Sequence, residues 1–199
     1  MIGNDVVDLA DPDADPGRLH PRFDGRVFDP RERALIAAST QPGRTRWVLW
    51  ALKESAYKAA RKEEPATVFS PARFVVSRQD AASAIVCACG RRFRASISCG
   101  PGYVHAVAWQ AGDPPAVTCV AVARLTSRDT SPHSAVRQLV LEQLAPALGV
   151  APAALTIHRE ARIPAVRVHG RPSGADLSLS HHGRFVAFAC RLPPHEGGP

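Results

Sequence analysis

The sequence has few aromatic side chains and no long apolar run. Phe, Trp and Tyr make up 6% of its 199 residues, and no basic stretch is interleaved with aromatic residues, which argues against a surface that stacks nucleic-acid bases. A transmembrane helix would need about 18 consecutive apolar residues, and none occur. The opening segment, MIGNDVVDL, carries two acids where a secretory signal would need basic residues. We therefore expect a cytoplasmic protein without a membrane span.

Cysteines are few, and they lack the spacing of metal ligands. The five cysteines are odd in number and lie in apolar, strand-like segments, so we expect reduced thiols in the core. Two of them stand two residues apart, but no second Cys or His pair follows at ligand spacing, which argues against a zinc site. They are Cys87, Cys89, Cys99, Cys119 and Cys190.

Acidic residues are in the minority. The sequence has 18 Asp and Glu against 25 Lys and Arg, a net charge of +7, and nearly all of the excess is arginine. The guanidinium group binds phosphates and carboxylates through two parallel hydrogen bonds. From charge alone, three classes of partner remain possible: a phosphorylated small molecule, an acidic protein or nucleic acid. The positive charge could also serve only to keep the protein soluble.

The order of predicted elements repeats along the chain. A strand is predicted over residues 1–9, and a helix begins after Asp29, which has capping-box spacing to Glu32. The apolar periodicity of WVLWALKESAYKAARK predicts a long helix over 47–62. Short strands follow, and then a strand, a helix over 131–148 and further strands repeat the same order.

An internal repeat supports two related halves. ASISCGPGYVHAVAW, from Ala95, aligns with DLSLSHHGRFVAFAC, from Asp176, with one residue inserted in the first copy. AGDPP, residues 111–115, has the composition of a linker. We expect an α+β fold built as a pseudo-dimer of halves 1–112 and 113–199, each a small antiparallel sheet with a long packed helix.

Two carboxylates are candidates for a metal site. Asp5 ends the first strand in GNDVVDL, and Glu54 lies within the apolar run of WALKESAYK. Together they would form an oxygen-only site suited to Mg²⁺. Asp8 is a third candidate, although strand alternation places it on the opposite face from Asp5. The alternative is structural, with Asp5 capping a turn and Glu54 pairing with Lys58 at i, i+4.

The last repeat carries two histidines near several arginines. His181 and His182 point to opposite faces of the predicted strand, so at most one of them faces a given site. Singly the arginines are solvated side chains, but grouped beside a histidine and a Gly turn they suggest an anion site. They are Arg159, Arg162, Arg167 and Arg171.

Three segments together resemble the 4'-phosphopantetheinyl transferases. GNDVVDL, followed about 45 residues later by WALKESAYK, resembles the family's Gly-x-Asp strand and its Trp/Phe-x-x-Lys-Glu-x-x-x-Lys helix. FDPRE resembles its Phe-Thr-x-x-Glu helix start, and LSLSHHGRFVAFA resembles the Ser-His-Ser-Gly strand of two-domain members. The order differs from the surfactin-synthetase-activating type, whose Ser-His strand comes first. Val7 also stands where that type has a second acid.

The resemblance implies a role for each candidate residue. Asp5 and Glu54, with Asp8 as the doubtful ligand, would hold Mg²⁺, and Lys58 would neutralise the phosphate that is transferred. Glu54 would also accept the proton of the attacking serine. The expected contacts of coenzyme A are His181, Ser180, Lys53, Arg162 and Arg171.

The resemblance also implies a reaction and a partner. We expect Mg²⁺-dependent transfer of the 4'-phosphopantetheine arm of coenzyme A to a serine of an apo acyl or peptidyl carrier protein, with release of adenosine 3',5'-bisphosphate. Such an activity belongs to fatty acid or polyketide biosynthesis. The alternative is a non-catalytic protein that binds coenzyme A or nucleic acid through the same arginines.

Overall fold

The computed structural model describes residues 1–113, 118–127, 129–160 and 163–192. Its α-helices are α1 Phe23–Val27, α2 Pro30–Ala38, α3 Pro42–Glu63 and α4 Pro132–Ala147. The strands of the first half are β1 Ile2–Asp8, β2 Val75–Arg78, β3 Ser83–Ala88, β4 Arg91–Gly100 and β5 Tyr103–Gln110. Those of the second half are β6 Thr118–Arg124, β7 Leu155–Glu160, β8 Ile163–Val168, β9 Arg171–His182 and β10 Phe185–Arg191.

The strands form two antiparallel sheets of five, and both sheets have the same order. The first runs β1-β5-β4-β3-β2 and the second β6-β10-β9-β8-β7. Helix α3 packs on the first sheet and α4 on the second, each over its own apolar core. The predicted α+β pseudo-dimer is thus confirmed. The expected boundary between residues 112 and 113 falls between β5 and β6.

The glycine of the Gly-x-Asp segment allows β1 to approach α3 closely. A Cβ atom at Gly3 would lie 2.1 Å from the carbonyl oxygen of Ser55 and 2.6 Å from the backbone nitrogen of Ala59. Only glycine fits such a contact without moving the backbone. Because strand side chains alternate, Asp5 faces the same helix. The close approach therefore brings the carboxylate of Asp5 to α3.

The two halves meet along the free edge of β1, which bonds to side chains rather than to another strand. The backbone N–H groups of Ile2, Asn4 and Asp8 donate to side chains of β9, each partner lying 174 residues later in the chain. The distances to Asp176 Oδ2, Ser178 Oγ and His182 Nδ1 are 2.5, 2.9 and 3.1 Å. These bonds cover a sheet edge that would otherwise expose its donors.

The structure differs from the sequence-based expectation in three local features. Helix α1 lies between the predicted strand 1–9 and the helix that begins after Asp29, where no helix was predicted, and α3 begins at Pro42, before the predicted start at Trp47. The expectation of core cysteines is wrong for Cys87, Cys89 and Cys99, which are exposed. Helix α2 begins as predicted, with Asp29 and Glu32 forming a capping box. Among the described helices, none has the length and hydropathy needed to cross a lipid bilayer.

Candidate active site

Asp5, Glu54 and Lys58 come together where β1 meets α3. Lys58 Nζ donates to Asp5 Oδ1 at 2.9 Å and to the backbone oxygen of Asn4 at 3.0 Å. The same ammonium lies 4.0 Å from Glu54 Oε1, one helical turn earlier. One lysine therefore serves two carboxylates from different elements. The structure brings these three predicted residues together.

The positive charge of Lys58 does not balance the negative charge of the two carboxylates in this cluster. Burial raises the pKa of Asp5, and Lys58 only partly opposes the shift. Burial also raises the pKa of Glu54, Lys58 opposes that shift, and the charge of Asp5 adds to it. Two carboxylates with a single ammonium leave a net negative charge in a partly dry place, so a further cation would stabilise them.

A cleft opens beside this cluster, with the smaller part of it between the two halves and the larger part within the second half. It consists of two adjoining cavities of about 300 and 380 Å³ that share Arg159, Pro164 and Leu179 in their walls. The smaller one is lined by Glu54, Lys58 and other residues of α3. In the described part of the chain, Glu54 is the one acid of this wall, whereas five basic side chains line the two cavities. These are Lys58, Arg61, Lys62, Arg137 and Arg159.

His181 lies in the wall of the larger cavity. Its ring packs edge-on against that of His133 in the first turn of α4, with 4.7 Å between ring centroids. Burial lowers the pKa of His181, and the neighbouring His133 lowers it further. His182 points the other way and accepts a hydrogen bond from the backbone of Asp8. The two histidines therefore face opposite sides, as strand alternation predicts.

Asp8 lies apart from the cluster and ties the two halves together. Its carboxylate binds the Arg184 guanidinium through two hydrogen bonds of 2.7 Å each and also accepts the backbone N–H groups of Ala10 and Arg184. Although burial acts against it, hydrogen bonding from Arg184 lowers the pKa of Asp8 to about 2. The structure does not bring Asp8 to the Asp5–Glu54 pair, and its carboxylate already has four donors.

Lys53, expected to contact coenzyme A, is placed in the core instead. Its side chain and that of Glu32 are both 0% exposed and pair at 2.7 Å. Lys53 Nζ also donates to the backbone oxygens of Phe74 at 2.6 Å and Pro71 at 3.1 Å. An enclosed ammonium with three acceptors has no surface left for a ligand. We therefore correct the expectation and assign Lys53 to the packing of α2 against α3.

The remaining predicted contacts are spread along β9 and beyond. Ser180 is buried, and its hydroxyl accepts a hydrogen bond from Asn4 Nδ2 at 2.8 Å. Arg171 is exposed at the other end of β9, ten residues and so about 33 Å of strand from His181. The structure thus does not bring Arg171 to the cleft, and Arg162 lies outside the described residues.

Several cleft residues escaped the sequence analysis. His133 and Arg137 lie one turn apart on α4, and Arg61 lies one turn after Tyr57 on α3. Each fits a solvated helix position equally well, so periodicity alone could not select them. His105 was also missed, because a single histidine in an apolar strand carries no signal of its own. Within the described residues, no group of three or more His, Cys, Asp or Glu side chains is arranged to hold a metal ion.

A known protein family matches the first half of the chain. The family model of the 4'-phosphopantetheinyl transferase superfamily matches residues 1–110. Holo-[acyl-carrier-protein] synthase of Helicobacter pylori, in complex with coenzyme A, is 22% identical, with a TM-score of 0.46 over 56% of this chain and 100% of its own. The Thermotoga maritima holo-[acyl-carrier-protein] synthase is 14% identical, with a TM-score of 0.43 over 71% of this chain and 89% of its own. No curated protein sequence matches the chain.

Proposed function

The chain belongs to the 4'-phosphopantetheinyl transferase superfamily, and from this premise we propose that it loads the 4'-phosphopantetheine arm of coenzyme A onto a carrier protein. The acceptor is a serine hydroxyl of an apo acyl or peptidyl carrier protein, and the second product is adenosine 3',5'-bisphosphate. The observation that carries the proposal is the cluster of Asp5, Glu54 and Lys58, of which Glu54 and Lys58 line a basic cleft.

Asp5 and Glu54 fit a magnesium ion. They are hard oxygen donors, and burial raises the pKa of both, a shift that Lys58 opposes only in part. Mg²⁺ is commonly held by one or two protein carboxylates together with water and phosphate oxygens. When bound, such an ion would offset negative charge that develops on the phosphates. We propose Asp5 and Glu54 as its protein ligands, without Asp8, whose carboxylate is held by Ala10 and Arg184.

The protein side chains would bind the donor and move one proton. Lys58 would leave its bond with Asp5 to contact the phosphate that is transferred, and His181 would donate to a second phosphate. The serine oxygen bonds to the phosphorus nearest the pantetheine, the bond from this phosphorus to the leaving phosphate breaks, and the serine proton passes to Glu54. Glu54 is placed for this step because its carboxylate lies in the cleft wall, 4.0 Å from the ammonium of Lys58.

The charge of the chain supports an acidic acceptor. Its formal net charge is +7, and the charged side chains in the cleft wall are mostly arginine and lysine. Opposite charge on a carrier protein would speed encounter and orient docking. We also propose that halves 1–112 and 113–199 act as one unit, since the carboxylates come from the first half and His181 from the second.

One assay tests this function against simple binding. The protein is incubated with coenzyme A, Mg²⁺ and several apo carrier proteins, and mass spectrometry follows the gain of one phosphopantetheine arm. We expect wild type and the exposed control Glu64→Gln to modify a carrier, Glu54→Gln to lose most activity, and a carrier without its serine to stay unmodified. Binding of coenzyme A without modification of any carrier would refute transfer and favour the non-catalytic alternative.

A further inference from the structure

Asn4 makes polar contacts to three neighbouring elements although it is fully buried. Its backbone N–H donates to Ser178 Oγ at 2.9 Å, and its side-chain Nδ2 donates to Ser180 Oγ at 2.8 Å. The same Nδ2 lies 3.1 Å from His105 Nε2 on β5. Its backbone oxygen accepts the ammonium of Lys58 at 3.0 Å. Strands β5 and β9 and helix α3 thus all bond to one residue of β1.

An apolar side chain would suit this position at least as well for packing alone. The neighbours of Asn4 on the same face of β1 are Ile2 and Val6, both buried against β10. Burial of an amide costs free energy unless its hydrogen bonds are made, and Asn4 Oδ1 has no partner among the described residues. What the amide provides is register, because a slipped β1 would leave the amide and the Ser180 hydroxyl unpaired.

The bond between Asn4 and Ser180 links two neighbours of site residues. Asn4 directly precedes Asp5, and Ser180 directly precedes His181. We propose that Asn4 is a positioning residue that sets the place of His181 relative to Asp5 and Lys58, an inference that rests on the proposed function. Asn4 itself, fully enclosed, would touch neither coenzyme A nor the carrier protein.

The expected effect follows from how sharply rate depends on alignment. A shift of about 1 Å in a positioned group can cost roughly a hundredfold in rate. In Asn4→Leu the amide is lost, while the backbone bonds to Ser178 and Lys58 can persist. Because this effect acts through His181, it cannot exceed that of His181→Ala, so we expect coenzyme A to bind up to about tenfold more weakly and kcat to fall by a smaller factor. Ser180→Ala, which removes the partner hydroxyl, should produce the same pattern.

A double-mutant cycle with His181→Ala separates positioning from a structural role. Coenzyme A affinity is measured by calorimetry and kcat by carrier modification, for Asn4→Leu alone and in the His181→Ala background. If Asn4 acts through His181, its effect should shrink to less than about twofold once the imidazole is gone. If Asn4 contributes to stability alone, Asn4→Leu should lower affinity and kcat by the same factor in both backgrounds. That result would overturn the proposal.

Two controls keep the test decisive. Ser98→Ala removes the exposed hydroxyl at the matching position of the first repeat and should change nothing. If Asn4→Leu does not fold, the cycle is run with Ser180→Ala and His181→Ala. A wild type that binds coenzyme A but modifies no carrier refutes the proposed function, yet coupling in the binding data would still support the role of Asn4. If Asn4→Leu lowers coenzyme A affinity by the same factor with and without His181, the role of Asn4 is refuted whether or not transfer occurs. A wild type that binds no coenzyme A also refutes it.

Discussion

Removal of the ammonium of Lys53 should destabilise the fold without weakening coenzyme A binding. Lys53 and Glu32 form an ion pair in which both side chains are 0% exposed. Breaking such a pair by deleting one partner costs about 3 to 5 kcal/mol, because the other charge stays buried. In Lys53→Met, Glu32 would keep hydrogen bonds from the backbone of Asp29 at 2.9 Å and Val76 at 2.7 Å. These bonds place the cost near the lower limit, at about 3 kcal/mol.

This cost converts into a measurable change of melting temperature. For a chain of this size, each kcal/mol lowers Tm by about 2 to 4 °C, so Lys53→Met should melt about 6 to 12 °C below wild type. Arg33, the exposed residue next to Glu32 in the sequence, provides a matched control. Arg33→Met should change the free energy of unfolding by less than about 0.5 kcal/mol. The double variant Glu32→Gln with Lys53→Met should recover part of the loss, because no buried charge is left.

The assay combines calorimetric unfolding with transfer kinetics below the melting temperature of the weakest variant. We expect Lys53→Met to keep the wild-type KM for coenzyme A. A variant with unchanged Tm and a KM raised about tenfold would instead mean that Lys53 contacts coenzyme A. That result would refute the assignment of Lys53 to the core.

Three further predictions concern the site and its surroundings. Asp5→Ala should lower kcat and weaken the dependence on Mg²⁺, whereas Asp8→Ala should mainly lower Tm; equal kinetic losses would contradict Asp5 as the preferred ligand. His181→Ala should raise KM for coenzyme A about ten- to a hundredfold, as expected for one charge-assisted hydrogen bond, and a larger effect of His182→Ala would contradict this choice. Burial lowers the pKa of His105 from 6.5 to about 4, with Lys58 adding to the shift. Stability should therefore fall by about 3 kcal/mol as pH drops from about 6.5 to 4, as urea titrations would measure, and His105→Gln should flatten that dependence.

The Asp5–Glu54–Lys58 cluster was accessible from sequence because each member has local support. Glu54 and Lys58 are one turn apart on a strongly periodic helix, and Asp5 follows a glycine whose missing side chain lets β1 reach that helix. Strand alternation likewise separated Asp5 from Asp8 correctly. Rules with fixed periods, 3.6 for helices and 2 for strands, were sufficient in these cases.

The rotation of α3 about its axis could not be read from the sequence in the same way. Lys53 and Glu54 are adjacent, so only one of them can point fully inward. The sequence placed Glu54 within the apolar run of this helix, but Lys53 is the residue that is completely enclosed. Its burial depends on Glu32, 21 residues earlier, and on carbonyl groups of a later loop. Partners so far apart in sequence leave no local pattern.

The length of β9 explains why Arg171 lies away from His181. Their grouping in the sequence suggested that both would lie at one anion site. The segment Arg171–His182 is instead one continuous strand, which carries its two ends far apart. Arg159, on β7, reaches the cleft only because the sheet order places its strand beside β8. Sheet topology, rather than distance along the chain, decides which arginines line the cleft.

The covered edge of β1 has a consequence for how the chain folds during synthesis. β1 leaves the ribosome before β9, and its edge partners on β9 lie 174 residues later. At translation rates of about 5 to 20 residues per second, that edge stays open for roughly 9 to 35 seconds. Pairing of such distant segments is slow, and an open edge can recruit other chains. Nascent chains stalled before β9 should therefore aggregate more readily than the finished protein.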